Sequence, residues 1–157
     1  MLKINRLQLQ DLHRLRLVQT ASAIAVLVGV LVLFGWVFDL ELLKRSGNIN
    51  LVTMKPNTAL GFLLSGASLW LLQMGQGKKD SSSIVYLRVS RICAAIVTLI
   101  GLLTISQYLF GWNFGIDELL FQDEQNAIFT SHPGRMGFNT ALNFFLVGIV
   151  LEMLAHP

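Results

Sequence analysis

Four long stretches without a single charge decide what this chain can become. They cover residues 18–38, 56–76, 92–116 and 136–151. At about 1.5 Å per helical residue the first reaches roughly 31 Å, against about 30 Å of bilayer hydrocarbon. The fourth is shorter, about 24 Å, unless Glu152 reaches toward the headgroups and adds a turn. Only 13% of the residues are charged and 54% are hydrophobic, whereas soluble domains carry roughly 25% charged residues. Backbone groups in hydrocarbon must bond within their own segment, so such stretches become helices. The expectation is an all-α integral membrane protein with four transmembrane helices.

Around these spans the chain divides into a basic, leucine-rich segment over 1–17, a first membrane hairpin over 18–76, a basic loop over 77–91 and a second hairpin over 92–157. Residues 1–17 are too long and too charged for the start of a cleaved signal peptide, so the first span is expected to remain as an anchor. The leucines among the basic residues fit an interfacial or continuous helix on anionic lipid. Lys and Arg set orientation in short loops. Lys3, Arg6, Arg14 and Arg16 precede the first span, and Lys78, Lys79, Arg88 and Arg91 lie between the second and third. The loop between spans three and four is acidic, with Asp117, Glu118, Asp123 and Glu124 against Arg135. Both termini are therefore expected in the cytoplasm, and the net charge of +3 reflects contact with anionic lipid, with no nucleic-acid partner.

The sequence also repeats itself. Asn57-Thr-Ala-Leu-Gly-Phe-Leu-Leu-Ser-Gly66 matches Asn139-Thr-Ala-Leu-Asn-Phe-Phe-Leu-Val-Gly148 at seven of ten positions, and Met54 and Met136 each stand three residues before the Asn. Upstream, Leu33-Phe-Gly-Trp36 recurs as Leu109-Phe-Gly-Trp112. Two spans per unit make the copies parallel tandem hairpins related by an axis along the membrane normal, most simply a four-helix bundle.

The repeat nominates the candidate residues. Trp36 and Trp112 read as an aromatic belt or as two walls of a symmetric external pocket. Asn57, Thr58, Asn139 and Thr140, in the first turns of spans two and four, read as interhelical hydrogen-bonding groups, with Asn57 facing Asn139 across the axis. Asn143 adds an amide where the first copy has Gly61. His132 is a solvated loop histidine, a pH-sensing group or a metal ligand. Arg135 and Lys55 precede the two Asn-Thr-Ala-Leu helices and either attract an anionic ligand or mark the interface. Ala21, Ala25 and Gly29, with Gly61 and Ser65, form small-residue ridges for close helix approach, inside the bundle or between protomers. The single Cys93 excludes an internal disulfide. His13 and His156 are assigned to the face opposite His132, which excludes a bis-His haem within one chain. There is no ionisable residue in mid-span, no phosphate loop and no nucleophile–base pair, so no catalytic residue, metal or cofactor is expected.

The motifs Leu-Phe-Gly-Trp, Met54-Lys-Pro-Asn-Thr-Ala-Leu-Gly-Phe-Leu-Leu-Ser-Gly66 and Pro133-Gly-Arg-Met-x-x-Asn-Thr-Ala-Leu-Asn-Phe144 resemble the N-terminal membrane region of bacterial sensor histidine kinases and diguanylate cyclases that carry PAS domains. The resemblance covers roughly residues 20–154. It implies a signal-input module of the bacterial inner membrane and supplies no catalytic residue. The relatives continue into PAS and output domains, whereas this sequence ends at Ala155-His156-Pro157. The second expectation is therefore a small accessory subunit of a larger membrane complex, photosynthetic or respiratory, with other transmembrane helices or a second copy as partner.

Overall fold

A computed structural model describes residues 6–45, 47, 52–76, 81–123 and 132–156, with side chains from residue 10 onward. The expected charges of Lys3, Lys78, Lys79 and Glu124 lie outside the described residues. Five helices make up the fold: α1 (Arg6–Val37), α2 (Glu41–Lys44), α3 (Pro56–Gly75), α4 (Ser81–Phe110) and α5 (Phe138–Leu154). Among the described residues there is no strand.

Local chemistry explains the boundaries. Pro56 opens α3 at its first turn, where a missing N–H costs nothing and φ is already helical. Gly111, at φ +66°, ends α4 in the left-handed conformation that helix ends favour. Two sequence expectations shift here. Residues 81–91, expected in a loop, belong to α4 because no breaker interrupts the run from Ser81 to Phe110. The third apolar stretch stops being helical at Phe110, six residues before its apolar run ends. Residues 6–17 continue directly into the first apolar stretch as one helix.

Three helices are long and apolar enough to cross a bilayer, with mean hydropathies of 2.4, 1.3 and 2.0 over their most apolar windows, and α5 is a shorter apolar helix of 17 residues. The distribution of residue types is inverted relative to a water-soluble bundle. The interior is small and weakly polar: Ser22, Ala59, Ser68, Ser90, Ala94, Thr104 and Ala141 are buried. Leu17, Ile24, Leu27, Ile92, Leu99, Val150 and Met153 are exposed. Where the surroundings are as apolar as leucine, helices gain little by burying large side chains and associate through close backbone approach.

Successive helices pack antiparallel. A Cβ on Gly29 would lie 2.7 Å from the Ala59 carbonyl and the Leu63 amide, and one on Gly66 would meet Ser22 and Val26. The same contacts recur between α4 and α5: Gly101 faces Ala141 and Phe145, and Gly148 faces Ala94 and Thr98. Of the expected ridge, Gly29 is used inside the α1–α3 pair, while Ala21 and Ala25 line a groove beside it, and Gly61 is used against the Phe144 ring. Between α3 and α4, Ser68 and Ser90 each donate to the other's carbonyl at 2.9 Å, with their hydroxyls 3.0 Å apart. The two hairpins meet through α3, which packs on α4 and on α5, whereas α1 packs on α3 and α2 and on neither α4 nor α5. The helix bundle is therefore open on one side, where a groove of about 590 Å³ runs between α1, α3 and α5.

Candidate functional site

One end of the bundle carries residues 38–45, 52–55, 111–123 and 132–137, and there the ion pairs found among the described residues are gathered. This cap begins with Trp36. Its indole Nε1 donates to the Met54 carbonyl at 2.9 Å, and the Lys44 ammonium sits 4.9 Å from the ring centroid. Buried Lys44 is held by Asp39 and by Glu41 at 2.9 Å. Burial opposes its charge, but hydrogen bonds to Asp39 and Glu41 outweigh that cost and raise its pKa. Hydrogen bonds from Arg45, then from Lys44, lower the pKa of Glu41.

The second hairpin builds a matching arrangement. The Tyr108 hydroxyl donates to the Met136 carbonyl at 3.0 Å, and the Arg135 guanidinium lies 5.5 Å from the Tyr108 ring centroid. Arg135 Nε donates to Asp117 Oδ2 at 2.8 Å, with both side chains buried. Gln107 donates to both Asp117 oxygens at 3.0 and 2.9 Å and accepts from the Phe114 amide. Both oxygens of this carboxylate thus have a donor, which is what a buried charge requires. Gly134 makes the approach possible. It adopts φ +69°, and a Cβ there would stand 2.5 Å from the Asp117 carbonyl oxygen.

Three contacts lash the 111–123 segment to the first hairpin. Lys55 pairs with Asp123, both buried, and Asp123 also accepts from the Gly134 amide at 3.0 Å. Asn57 Nδ2 donates to the Ile116 carbonyl at 2.8 Å. Phe121 lies 5.8 Å from the Trp36 ring.

Several expectations change against this geometry. Trp36 and Trp112 do not wall one pocket. Trp112 is 52% exposed, stacks on Phe110 and meets Phe114 edge to face. By contact, the counterpart of Trp36 is Tyr108, one helical turn earlier, because α4 sits a turn out of step with the Leu-Phe-Gly-Trp match. Asn57 does not pair with Asn139: its amide is bonded to Ile116, and Asn139 is exposed. Lys55 and Arg135 are not open anion receptors, since Asp123 and Asp117 already neutralise them. His132 is exposed in a turn where its carbonyl accepts from the Arg135 amide. Thr58, Thr140 and Asn143 do come together, as polar points along the groove between α1, α3 and α5, beside Phe62 and Ser65. Lys44, Gln107, Tyr108, Asp117 and Asp123 were not singled out from sequence. The one available signal was Gln107, an amide near the end of an apolar run. Among the described residues no group of three or more His, Cys, Asp and Glu is placed to hold a metal.

Comparison with protein-family models, curated proteins and solved structures gives no match. Fold and chemistry therefore define a class only: a helical protein, three of whose apolar helices are long enough to cross a membrane, capped at one end by buried ion pairs.

Proposed function

We propose that the chain is a non-catalytic signal-input module of the bacterial inner membrane. In this reading its three long helices and the shorter α5 cross the bilayer as two parallel tandem hairpins, with both termini cytoplasmic and the cap periplasmic. The observation that carries it is the cap itself. The 111–123 segment is clamped to Arg135 of its own hairpin through Asp117 and to Lys55 of the other through Asp123. A stimulus that exchanges one of those carboxylates for another anion, or that draws Phe121 off Trp36, changes how the hairpins are held at one end. The Ser68–Ser90 clasp links α3 to α4 deeper in the bundle and passes that change along the helices. The likeness of the motifs to the input regions of sensor kinases and cyclases supports the same role.

A second reading, an accessory subunit of a larger membrane complex, is favoured by one observation. Along the open groove the small residues Ala21 and Ala25 of α1 stand opposite Thr140, Asn143 and Val147 of α5, a surface suited to close approach of a partner helix. Purification in mild detergent from the native membrane separates the two. Recovery alone or as a homodimer is the outcome expected of an input module. Stoichiometric recovery with a large complex would end that reading in favour of the subunit.

A further inference from the structure

The end of the bundle opposite the cap holds a second set of charges, differently arranged. Arg88, Arg91, Ile92 and Ala95 fall at i, i+3, i+4 and i+7 on α4, a single face of the helix. With Glu152 of α5 they line a pocket of about 380 Å³. The antiparallel register explains the juxtaposition. Gly148 lies against Ala94 and Thr98, so one turn further along α5 Glu152 comes level with Arg91. The buried cations of the cap, Lys44, Lys55 and Arg135, all have carboxylate partners. Among the described residues Arg88, Arg91 and Glu152 form no salt bridge with one another or with any other side chain.

We infer that this pocket binds the head of a phosphoethanolamine lipid, with the phosphate between Arg88 and Arg91 and the primary ammonium on Glu152. Two guanidinium forks on one helix face match a phosphate diester, which accepts several hydrogen bonds in a plane. The carboxylate then discriminates among headgroups. A primary ammonium donates hydrogen bonds to it, a choline has no N–H to give, and a glycerol head leaves the carboxylate facing a phosphate without a cation between them. Ile92 and Ala95 supply an apolar floor where the acyl chains begin. The pocket lies at the end of an apolar run, the depth at which basic groups between helices meet lipid phosphates.

The inference rests on the membrane-crossing reading of α4 and α5, and its test is arranged so that the two fail separately. The full chain is purified in detergent and offered an equimolar mixture of phosphatidylethanolamine, phosphatidylglycerol and phosphatidylcholine, and retained lipid is counted by native mass spectrometry. Wild type is expected to hold phosphatidylethanolamine about fivefold over phosphatidylcholine, the worth of one charge contact near a membrane surface. Glu152→Gln removes that preference. Arg88→Gln and Arg91→Gln each lower retention of all phospholipids about fivefold, and Arg91→Lys falls between. Both arginines are exposed, so the helical circular dichroism stays unchanged. Soluble glycerophosphoethanolamine at equal concentration does not displace the lipid. Equal retention of phosphatidylglycerol or phosphatidylcholine by wild type, an unchanged profile in the variants, or displacement by the soluble head would each overturn the assignment. None of these outcomes depends on which way the helices insert, which labelling from the two faces of the membrane reads independently.

Discussion

Trp36 and Tyr108 perform the same task with different chemistry. Each turns a ring edge toward the carbonyl of a methionine that precedes an Asn-Thr-Ala-Leu helix, and each presents its face to a buried cation. Removing the donor while keeping the ring leaves that carbonyl without its partner, at a cost of about 1 kcal/mol. Tyr108→Phe is therefore expected to lower stability in detergent by that amount and Trp36→Phe, which also shrinks the ring against Lys44 and Phe121, by more, whereas Trp112→Phe changes it by less than about 0.5 kcal/mol, as exposed sites do. Chemical unfolding followed by circular dichroism measures all three, and a larger loss at Trp112 would contradict the placement. The Lys44 cluster has its own pH signature. Glu41, with its pKa below the ordinary 4.5, contributes stability that is full above pH 4.5 and is lost as pH falls through the lowered value. Lys44, raised above 10.5, contributes stability that is full below pH 10.5 and is lost as pH rises through the raised value. Glu41 is 45% exposed, so screening keeps the effect small. The expected Trp36 fluorescence, read in a Trp70→Phe/Trp112→Phe background, is flat across neutral pH and changes only outside those limits. A transition near pH 6.5 would implicate a histidine instead.

At the scale of the helices, glycine position decides how closely pairs approach. Gly29 and Gly101 each face a backbone carbonyl of the neighbouring helix at under 3 Å from where a Cβ would sit. Backbone cannot move aside as a flexible side chain can, so Gly29→Ala and Gly101→Ala force the pairs apart and cost about 1–3 kcal/mol each. Gly137 has nothing within 4 Å, and Gly137→Ala is the neutral comparison. Thermal melting in one detergent ranks the three, and a loss at Gly137 equal to that at Gly101 would show that the packing register is different. The Ser68–Ser90 clasp works by the same logic, since only small side chains let the α3 and α4 backbones come near enough for reciprocal bonds to each other's carbonyls.

For the whole molecule, the proposed topology makes a direct statement about sidedness. With the native Cys93 replaced by serine, single cysteines at Trp112 and His132 are expected to react with an impermeant thiol reagent from the periplasmic side, and cysteines at His13 and His156 only after the membrane is opened. Reaction of 112 and 132 from opposite faces would remove the tandem-hairpin reading. The open side of the bundle belongs to this scale too. Because α1 packs on neither α4 nor α5, the molecule has a lateral opening that a closed four-helix arrangement lacks, and the two functional readings differ in what comes to fill it.

Helical class and apolar spans could be read from residue order because both are sums over neighbours: hydropathy accumulates along about twenty positions, and a helix satisfies its own backbone. The recurrence of the Asn-Thr-Ala-Leu segments was equally open to inspection, as was the small-residue spacing that the α1–α3 pair uses. The partners of individual polar side chains were not. Lys55 and Asp123 are far apart along the chain, and whether their charges cancel depends on where the 111–123 segment comes to rest. Trp112 shares its motif with Trp36, yet a shift of one helical turn in how α4 meets α5 gives the position to Tyr108. Register between helices is settled by the fit of glycine, alanine and serine across an interface, and no local pattern encodes it. Composition and periodicity thus established a set of apolar helices, and tertiary packing alone decided that the charges at one end pair with each other while Arg88, Arg91 and Glu152, at the other, line one pocket.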